Sequence, residues 1–307
     1  MAQLEITLLN WELIDMMTVL SRRDLLKAAV TTVVLPKLTA IALEAQKKPK
    51  LRLAVKYGMI KINASVEEKL NLVKKLGFEG VEVDSPSGLN KAEVKAASDK
   101  TGIKIHGVID SVHWRDTLSH PDEAVRAKGV AALSGAIEDA AFYGSDTVLL
   151  VPGVVNDSVT YEQCYERSQG EIKKVLPLAE QRKMKICIET VWNNFLTKPE
   201  QLISFVDDLH SPWVGAYFDC SNMIKYGVPS AEWIRKLGPR LVKFDFKGYS
   251  KTKSWCPIGE GDEDWPEVLT ALGEIGYDGW ATSEVAGGGE KELADIAARM
   301  KKFLGLS

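Results

Sequence analysis

The chain has little of what usually marks a metal knuckle, a disulfide scaffold or a nucleic-acid surface. Its 307 residues include four cysteines, Cys164, Cys187, Cys220 and Cys256, with no CxxC pair and no tight spacing. Neither a zinc knuckle nor a disulfide framework follows from that pattern, and Cys187 and Cys220, in or beside apolar runs, read as small core residues. Net charge is −3 and no basic cluster stands out beyond Lys47-Lys48-Pro49-Lys50, so nucleic acid is not expected as a partner. No glycine-rich dinucleotide fingerprint follows the first strand-like run, because Tyr57-Gly58-Met59 lacks its spacing. What is present is 45% hydrophobic and 26% charged, ordinary for a soluble globular protein and ample for one large core.

Near the N-terminus, Ser21-Arg22-Arg23-Asp24-Leu25-Leu26-Lys27 precedes the apolar stretch Ala28–Leu35, then Pro36, Lys37 and a small-residue end at Ala40-Ile41-Ala42. A paired-arginine start, a modest apolar centre and a small-x-small end make a secretory signal, and its form resembles the twin-arginine export signal. The stretch is too short to span a bilayer and Lys37 interrupts it. Residues 1–45 are therefore expected to be an export segment, cleaved after Ala42 or Ala45, with Met16 or Met17 as an alternative start. The protein is then periplasmic or otherwise exported, with no stable membrane insertion after cleavage. The other reading is an uncleaved amphipathic helix lying against the folded domain.

After this segment, strand-like and helix-like runs alternate. Leu51–Val55, Gly80–Asp84, Ile103–Ile109 and Asp146–Pro152 have strand composition. Between them, Ser65 with Glu68 makes a capping box, Asn90 caps a helix to Thr101, and Asp122–Tyr143 is a long helix stopped at Gly144. Tyr161–Arg182 is a second long helix, in which Pro177 is expected to cause a bend or a break. Helices are also expected at Pro199–Leu209, Ala231–Leu237, Trp265–Ile275 and Lys291–Leu304. Eight strands and eight helices fit into the remaining chain, which favours a single-domain (β/α)8 TIM barrel over residues 46–307 above an open doubly wound sheet.

The last four strand-like runs each close on a carboxylate: Lys185–Glu189, Val214–Asp219, Leu241–Asp245 and Gly279–Glu284, with the acids 30, 26 and 39 residues apart. In a parallel barrel all four emerge at the rim that carries active sites. Four acids share a small pocket only if protons or a cation relieve their repulsion, so a divalent metal is the natural expectation. Any one of them alone is as well explained by ion pairing or helix capping.

Ile188-Glu189-Thr190, Phe218-Asp219-Cys220-Ser221-Asn222, Lys243-Phe244-Asp245-Phe246-Lys247, Ile258-Gly259-Glu260-Gly261-Asp262 and Gly276–Trp280 with Glu284 together resemble the xylose isomerase-like TIM barrels. Within them the chain is similar to the sugar isomerase and epimerase group. The resemblance implies that Glu189, Asp219, Asp245 and Glu284 hold one divalent metal, Mn2+ or Mg2+ by their all-oxygen character. It further implies that Glu189 and Glu284 exchange protons with a sugar through a cis-enediolate. Asp245 stands where the group usually has His or Gln, and Asn222 where ketose 3-epimerases often carry His.

Around these acids, Lys247 is expected either to hold a substrate hydroxyl or the enediolate, or to pair with Asp245 or Glu260. His106 is placed at the pocket by its strand face, against the simpler reading of a core hydrogen bond, and Glu260 is open to a pocket role. His113, Trp114, Trp192 and Trp255 lie in loops that would roof the site, against the simpler reading that the indoles pack loops onto the barrel. Glu290 and Glu292, after Gly287-Gly288-Gly289, would repel a phosphate at the last helix, so an unphosphorylated carbohydrate substrate is expected. The rivals are a 3-keto-glycoside lyase or hydrolase on the same metal site, a DNA-repair (AP) endonuclease-like hydrolase, disfavoured by only four histidines, and a non-catalytic sugar-binding barrel. A homo-oligomer is left open.

Overall fold

The computed structural model describes residues 49–305; the expected export segment lies outside the described residues. Eight parallel strands close on themselves in the order β1 (Arg52–Lys56), β2 (Gly80–Ser85), β3 (Lys104–Asp110), β4 (Thr147–Leu150), β5 (Lys185–Glu189), β6 (Val214–Asp219), β7 (Leu241–Phe246) and β10 (Trp280–Ser283), which returns to β1. A two-stranded antiparallel hairpin, β8 (Tyr249–Ser250) with β9 (Ser254–Trp255), stands on the loop after β7. The helices are α1 (Val66–Leu76), α2 (Lys91–Thr101), α3 (Glu123–Tyr143), α4 (Tyr161–Arg182), α5 (Pro199–Asp207), α6 (Ser230–Leu237), α7 (Trp265–Glu274) and α8 (Glu290–Leu304). This is the (β/α)8 barrel expected from the run count. Among the described residues no helix is long and apolar enough to cross a membrane.

Local signals act as expected at most boundaries. Ser65 and Glu68 form the reciprocal capping box of α1, which stops at Gly77 in the left-handed region (φ 94°), a conformation that costs glycine little. Asn90 accepts the backbone N–H groups of Ala92 and Glu93 at the start of α2. The expected break at Pro177 does not occur, and α4 runs through it. Ile172, Val175 and Ala179 are buried on both sides of the proline, so packing against the barrel keeps the helix continuous despite the lost hydrogen bond.

The outer faces of the strands meet the helices in one large apolar core, and the barrel interior holds a small separate cluster of Leu149, Cys187 and Tyr217. Parallel register then sets the heights of the acids. Asp219 lies beside Asp245, Glu189 beside Tyr217, and Thr282 beside Asp245. Three of the acids thus end or nearly end their strands at the carboxyl rim, and Glu284 follows β10 by one residue.

Candidate active site

Glu189, Asp219, Asp245 and Glu284 converge. Each offers one carboxylate oxygen, and these oxygens all lie within 4.8 Å of one another. Glu189, Asp219 and Asp245 are buried, and Glu284 is about a third exposed (side chain 32%). Backbone N–H groups of Ser221 and Asn222 donate to Asp219 Oδ1 at 2.7 and 2.8 Å. The tight turn after β6 therefore fixes one oxygen and leaves Oδ2 pointing into the cluster.

Two lysines stand among the acids. Lys247 Nζ donates to Glu284 Oε2 at 2.9 Å and lies 3.3 Å from Asp219 Oδ2. Lys56, from the end of β1, places Nζ 2.9 Å from Asp245 Oδ2 and 3.1 Å from Glu284 Oε1. Despite these short approaches, Asp219 Oδ2 and Asp245 Oδ2 accept no well-aligned hydrogen bond. Buried oxygens without a donor are costly unless a charge meets them. With all four carboxylates ionised, two ammonium groups leave two negative charges uncompensated, which is the charge of one divalent cation. Opposed oxygens around such an ion stand roughly 4–5 Å apart, so the cluster fits it with little movement.

Electrostatics differ sharply between the two glutamates. Burial pushes the Glu189 carboxyl up to about 8, with Glu284 and Asp219 adding to the effect and Lys56 opposing it. Burial also works to raise Glu284, but the Lys56 and Lys247 ammonium groups outweigh it and bring it down to about 2. Asp219 and Asp245 are raised, again chiefly by burial.

Glu189 and Glu284 open into a cavity of about 450 Å³ whose lining includes Lys56, Glu82, His113, Trp114, Trp192 and Trp255, beside Asn222 and Lys247, while Asp219 and Asp245 are fully buried. Trp192 and Trp255 stack with ring centres 4.6 Å apart, and Trp192 Nε1–H donates to the Asn222 carbonyl at 2.8 Å. Asn222 in turn donates to the Thr190 carbonyl at 3.1 Å and accepts from Lys247 at 3.4 Å. Trp114 and Trp255 remain exposed at the mouth. Burial brings His113 down to about 4, so its ring is neutral, and its Nδ1 accepts from the Val151 N–H at 3.4 Å.

Two expected pocket residues lie elsewhere. His106 is inside the barrel below the pocket, stacked on Trp280 with Nδ1 3.2 Å from Lys243 Nζ. It satisfies core partners because its place on β3 is well short of the rim. Glu260 pairs with Arg299 of α8 at 2.9 Å and is outside the cavity lining. Lys247 pairs with Asp219 and Glu284 rather than with Asp245 or Glu260, the partners of its alternative reading, and Lys56 takes Asp245. Lys56, Glu82 and Tyr217 were not foreseen. Tyr217 Oη lies 2.9 Å from Glu82 Oε2 and 2.7 Å from Asp245 Oδ1, tying the acid cluster to the barrel interior.

A closed parallel barrel with an acid cluster and a tryptophan-walled pocket at its carboxyl rim defines an α/β-barrel protein with a candidate cation site. The chain belongs to the xylose isomerase-like TIM barrel family, whose sequence pattern matches residues 70–303. L-ribulose-5-phosphate 3-epimerase of Salmonella paratyphi A is 25% identical over 264 residues, covering 76% of this chain and 90% of that protein. Among solved structures, a D-tagatose 3-epimerase-like protein superposes with a TM-score of 0.73 at 21% identity, covering 83% of this chain and 97% of that one. The 3-keto-D-glucoside 4-epimerase of E. coli superposes with a TM-score of 0.71 at 15% identity, covering 83% and 99%.

Proposed function

We propose that the chain is a metal-dependent isomerase or epimerase of a free sugar or sugar derivative, with Glu189 and Glu284 as the proton-exchanging pair. The observation that carries this reading is the convergence of Glu189, Asp219, Asp245 and Glu284 within 4.8 Å at the floor of a tryptophan-lined pocket. One relative, in Salmonella paratyphi A, is an L-ribulose-5-phosphate 3-epimerase, which supports the isomerase and epimerase class.

The reaction requires removal of a C–H proton beside a carbonyl and its return to a different face or carbon. A divalent cation held by the four carboxylates, Mn2+ or Mg2+ by the all-oxygen donor set, would supply electrostatic stabilisation of negative charge developing on the carbonyl and neighbouring hydroxyl oxygens. The chain's own residues do the rest. Glu189, at the end of β5, and Glu284, just after β10, would accept the proton and return it as the base and acid of the pair. Lys247 directs an ammonium group into the pocket beside Glu284 and can hold a substrate oxygen. Trp192, Trp255 and Trp114 offer flat apolar faces to sugar C–H groups and exclude water.

An unphosphorylated substrate fits the start of α8. Glu292 itself accepts the Gly289 N–H at 3.0 Å, so the chain's own carboxylate fills the position where an anion would bind. Export through the twin-arginine pathway, read from Ser21–Lys27, belongs to the same proposal. Fractionation of the full chain against its Arg22→Lys, Arg23→Lys double variant tests it: retention of the variant in the cytoplasm is expected, and equal distribution refutes it.

The test of function is solvent deuterium incorporation into added ketoses by Mn2+-loaded protein, followed by mass spectrometry. Incorporation should fall by at least about a hundredfold in Glu284→Gln and in Glu189→Gln. No exchange with any ketose, together with consumption of 3-keto-glycosides and release of the aglycone, would assign the lyase chemistry instead.

A further inference from the structure

We propose that Lys56 is a resident counter-ion that trades places with the divalent cation: its ammonium group closes the acid cluster when no cation is bound and withdraws from Asp245 and Glu284 when one is. This rests on the metal reading of the site given above.

Lys56 Nζ stands 2.9 Å from Asp245 Oδ2 and 3.1 Å from Glu284 Oε1, two of the four residues that would hold the cation. A cation at about 2.0–2.6 Å from the same carboxylates places two like charges within one small volume. They repel strongly at that separation in a partly buried site. One of the two must move, and the surroundings show which lysine is free to do so. Lys247 has holds outside the acids, with Asn222 Oδ1 at 3.4 Å and the Trp255 ring 4.5 Å from Nζ. Among the described residues, Lys56 has only the face of Tyr217, at 5.7 Å, besides its carboxylates. It also lines the cavity, and open space lies beside the next turn, where a methyl group at Gly58 would touch nothing within 4 Å.

The consequence is self-competition. A protein whose binding-competent state is populated a tenth of the time binds its ligand about tenfold more weakly than the competent state would. The lysine thereby relieves part of the repulsion among the acids without metal and makes loading reversible.

The experiment compares the full chain in EDTA and in excess Mn2+. Acetic anhydride labelling with peptide mass spectrometry reads the accessibility of Lys56, with Lys247 as the internal reference, and calorimetry reads the Mn2+ affinity of the parent and of Lys56→Met. Expected are a several-fold rise in Lys56 acetylation with Mn2+, little change at Lys247, and about tenfold tighter Mn2+ binding by Lys56→Met. Mn2+ binding that leaves Lys56 labelling unchanged overturns the exchange, as does a Lys56→Met protein that binds no more tightly. Absence of Mn2+ binding in both proteins removes the metal reading itself, an outcome distinct from either of these. If Lys56→Met does not fold, the labelling of the parent decides alone.

Discussion

Tyr217 has one hydroxyl proton and two buried carboxylates within reach, Glu82 Oε2 at 2.9 Å and Asp245 Oδ1 at 2.7 Å. A hydroxyl donates once, so the second contact needs a proton on a carboxyl that donates to the tyrosine oxygen. Burial raises both acids and Lys56 opposes the rise at each, but Lys56 pairs directly with Asp245, Nζ standing 2.9 Å from Oδ2, which leaves Glu82 as the better carrier. Tyr217→Phe should therefore leave a buried carboxyl without its partner and lower stability by about 1–3 kcal/mol. Glu82→Gln, which keeps a donor in place, should cost clearly less. Urea unfolding of the two variants checks the order, and equal losses would contradict this proton count. Asp110, at the end of β3, gives a separate prediction. Burial pushes its carboxyl up to about 7, and the Val112 N–H opposes that rise. A folded-state pKa above the unfolded value means that its contribution to stability is full below about 4, falls as pH rises to about 7, and is flat beyond. Asp110→Asn should thus unfold at higher urea than the parent at pH 8, with a ceiling of about 4 kcal/mol, and the gain should shrink steadily towards pH 5. A gain independent of pH would remove Asp110 as its cause. At this scale the four acids were legible because each closes an apolar run. Lys56, Glu82 and Tyr217 were not, because charged and polar residues alternating along a strand look solvent-facing when they in fact face the barrel interior.

The elements show where local signals suffice and where packing decides. The capping box at Ser65 and the stop at Gly77 could be read from the chain because they act within a few residues. Continuity of α4 through Pro177 could not, since it depends on buried contacts before and after the proline. The hairpin of β8 and β9 was also missed; two-residue strands carry almost no periodic signal. Yet β9 delivers Trp255 to the pocket. A prediction belongs to the loops after β1 and β10, which are joined where Lys61 N–H donates to the Gly288 carbonyl at 2.9 Å and Gly288 N–H to the Met59 carbonyl at 3.0 Å. A Cβ at Gly287 would come 2.0 Å from Met59 O and 2.5 Å from Met59 Cα. These are backbone atoms, so Gly287→Ala must push apart the two segments that carry Lys56 and Glu284. A loss of about 1–3 kcal/mol is expected from such overpacking, along with weaker Mn2+ binding. Gly58→Ala, facing open space, should change neither. Thermal melts and calorimetry on the pair read both effects, and a Gly287→Ala protein indistinguishable from Gly58→Ala would show that the loops move independently.

For the whole molecule, the barrel gathers charges that the sequence scatters over more than two hundred residues. In the unfolded chain Lys56, Glu189, Asp219, Asp245 and Glu284 are far apart and bind a divalent ion weakly. Folding brings the four acids within one coordination sphere. The alternation of eight strand-like and eight helix-like runs made closure readable, and closure with parallel register brings strand-end acids to one rim. Two ammonium groups arriving from β1 and from the loop after β7 were not readable as a pair, because nothing in the sequence sets their distance. A ligand that binds only the folded state stabilises it by about 2.7 kcal/mol at a hundred times its dissociation constant. For a barrel of this size that is roughly 5–10 °C in melting temperature. Mn2+ should therefore raise the melting temperature of the parent by that amount. In Asp219→Asn the amide oxygen can still accept the Ser221 and Asn222 N–H groups that now meet Oδ1, so the fold should persist. One of the four charges is gone, however, and the Mn2+-dependent rise should shrink to a small fraction of the parent's. A full rise in Asp219→Asn would mean that the ion sits away from this cluster, and the assignment of Glu189 and Glu284 as its proton-exchanging neighbours would go with it.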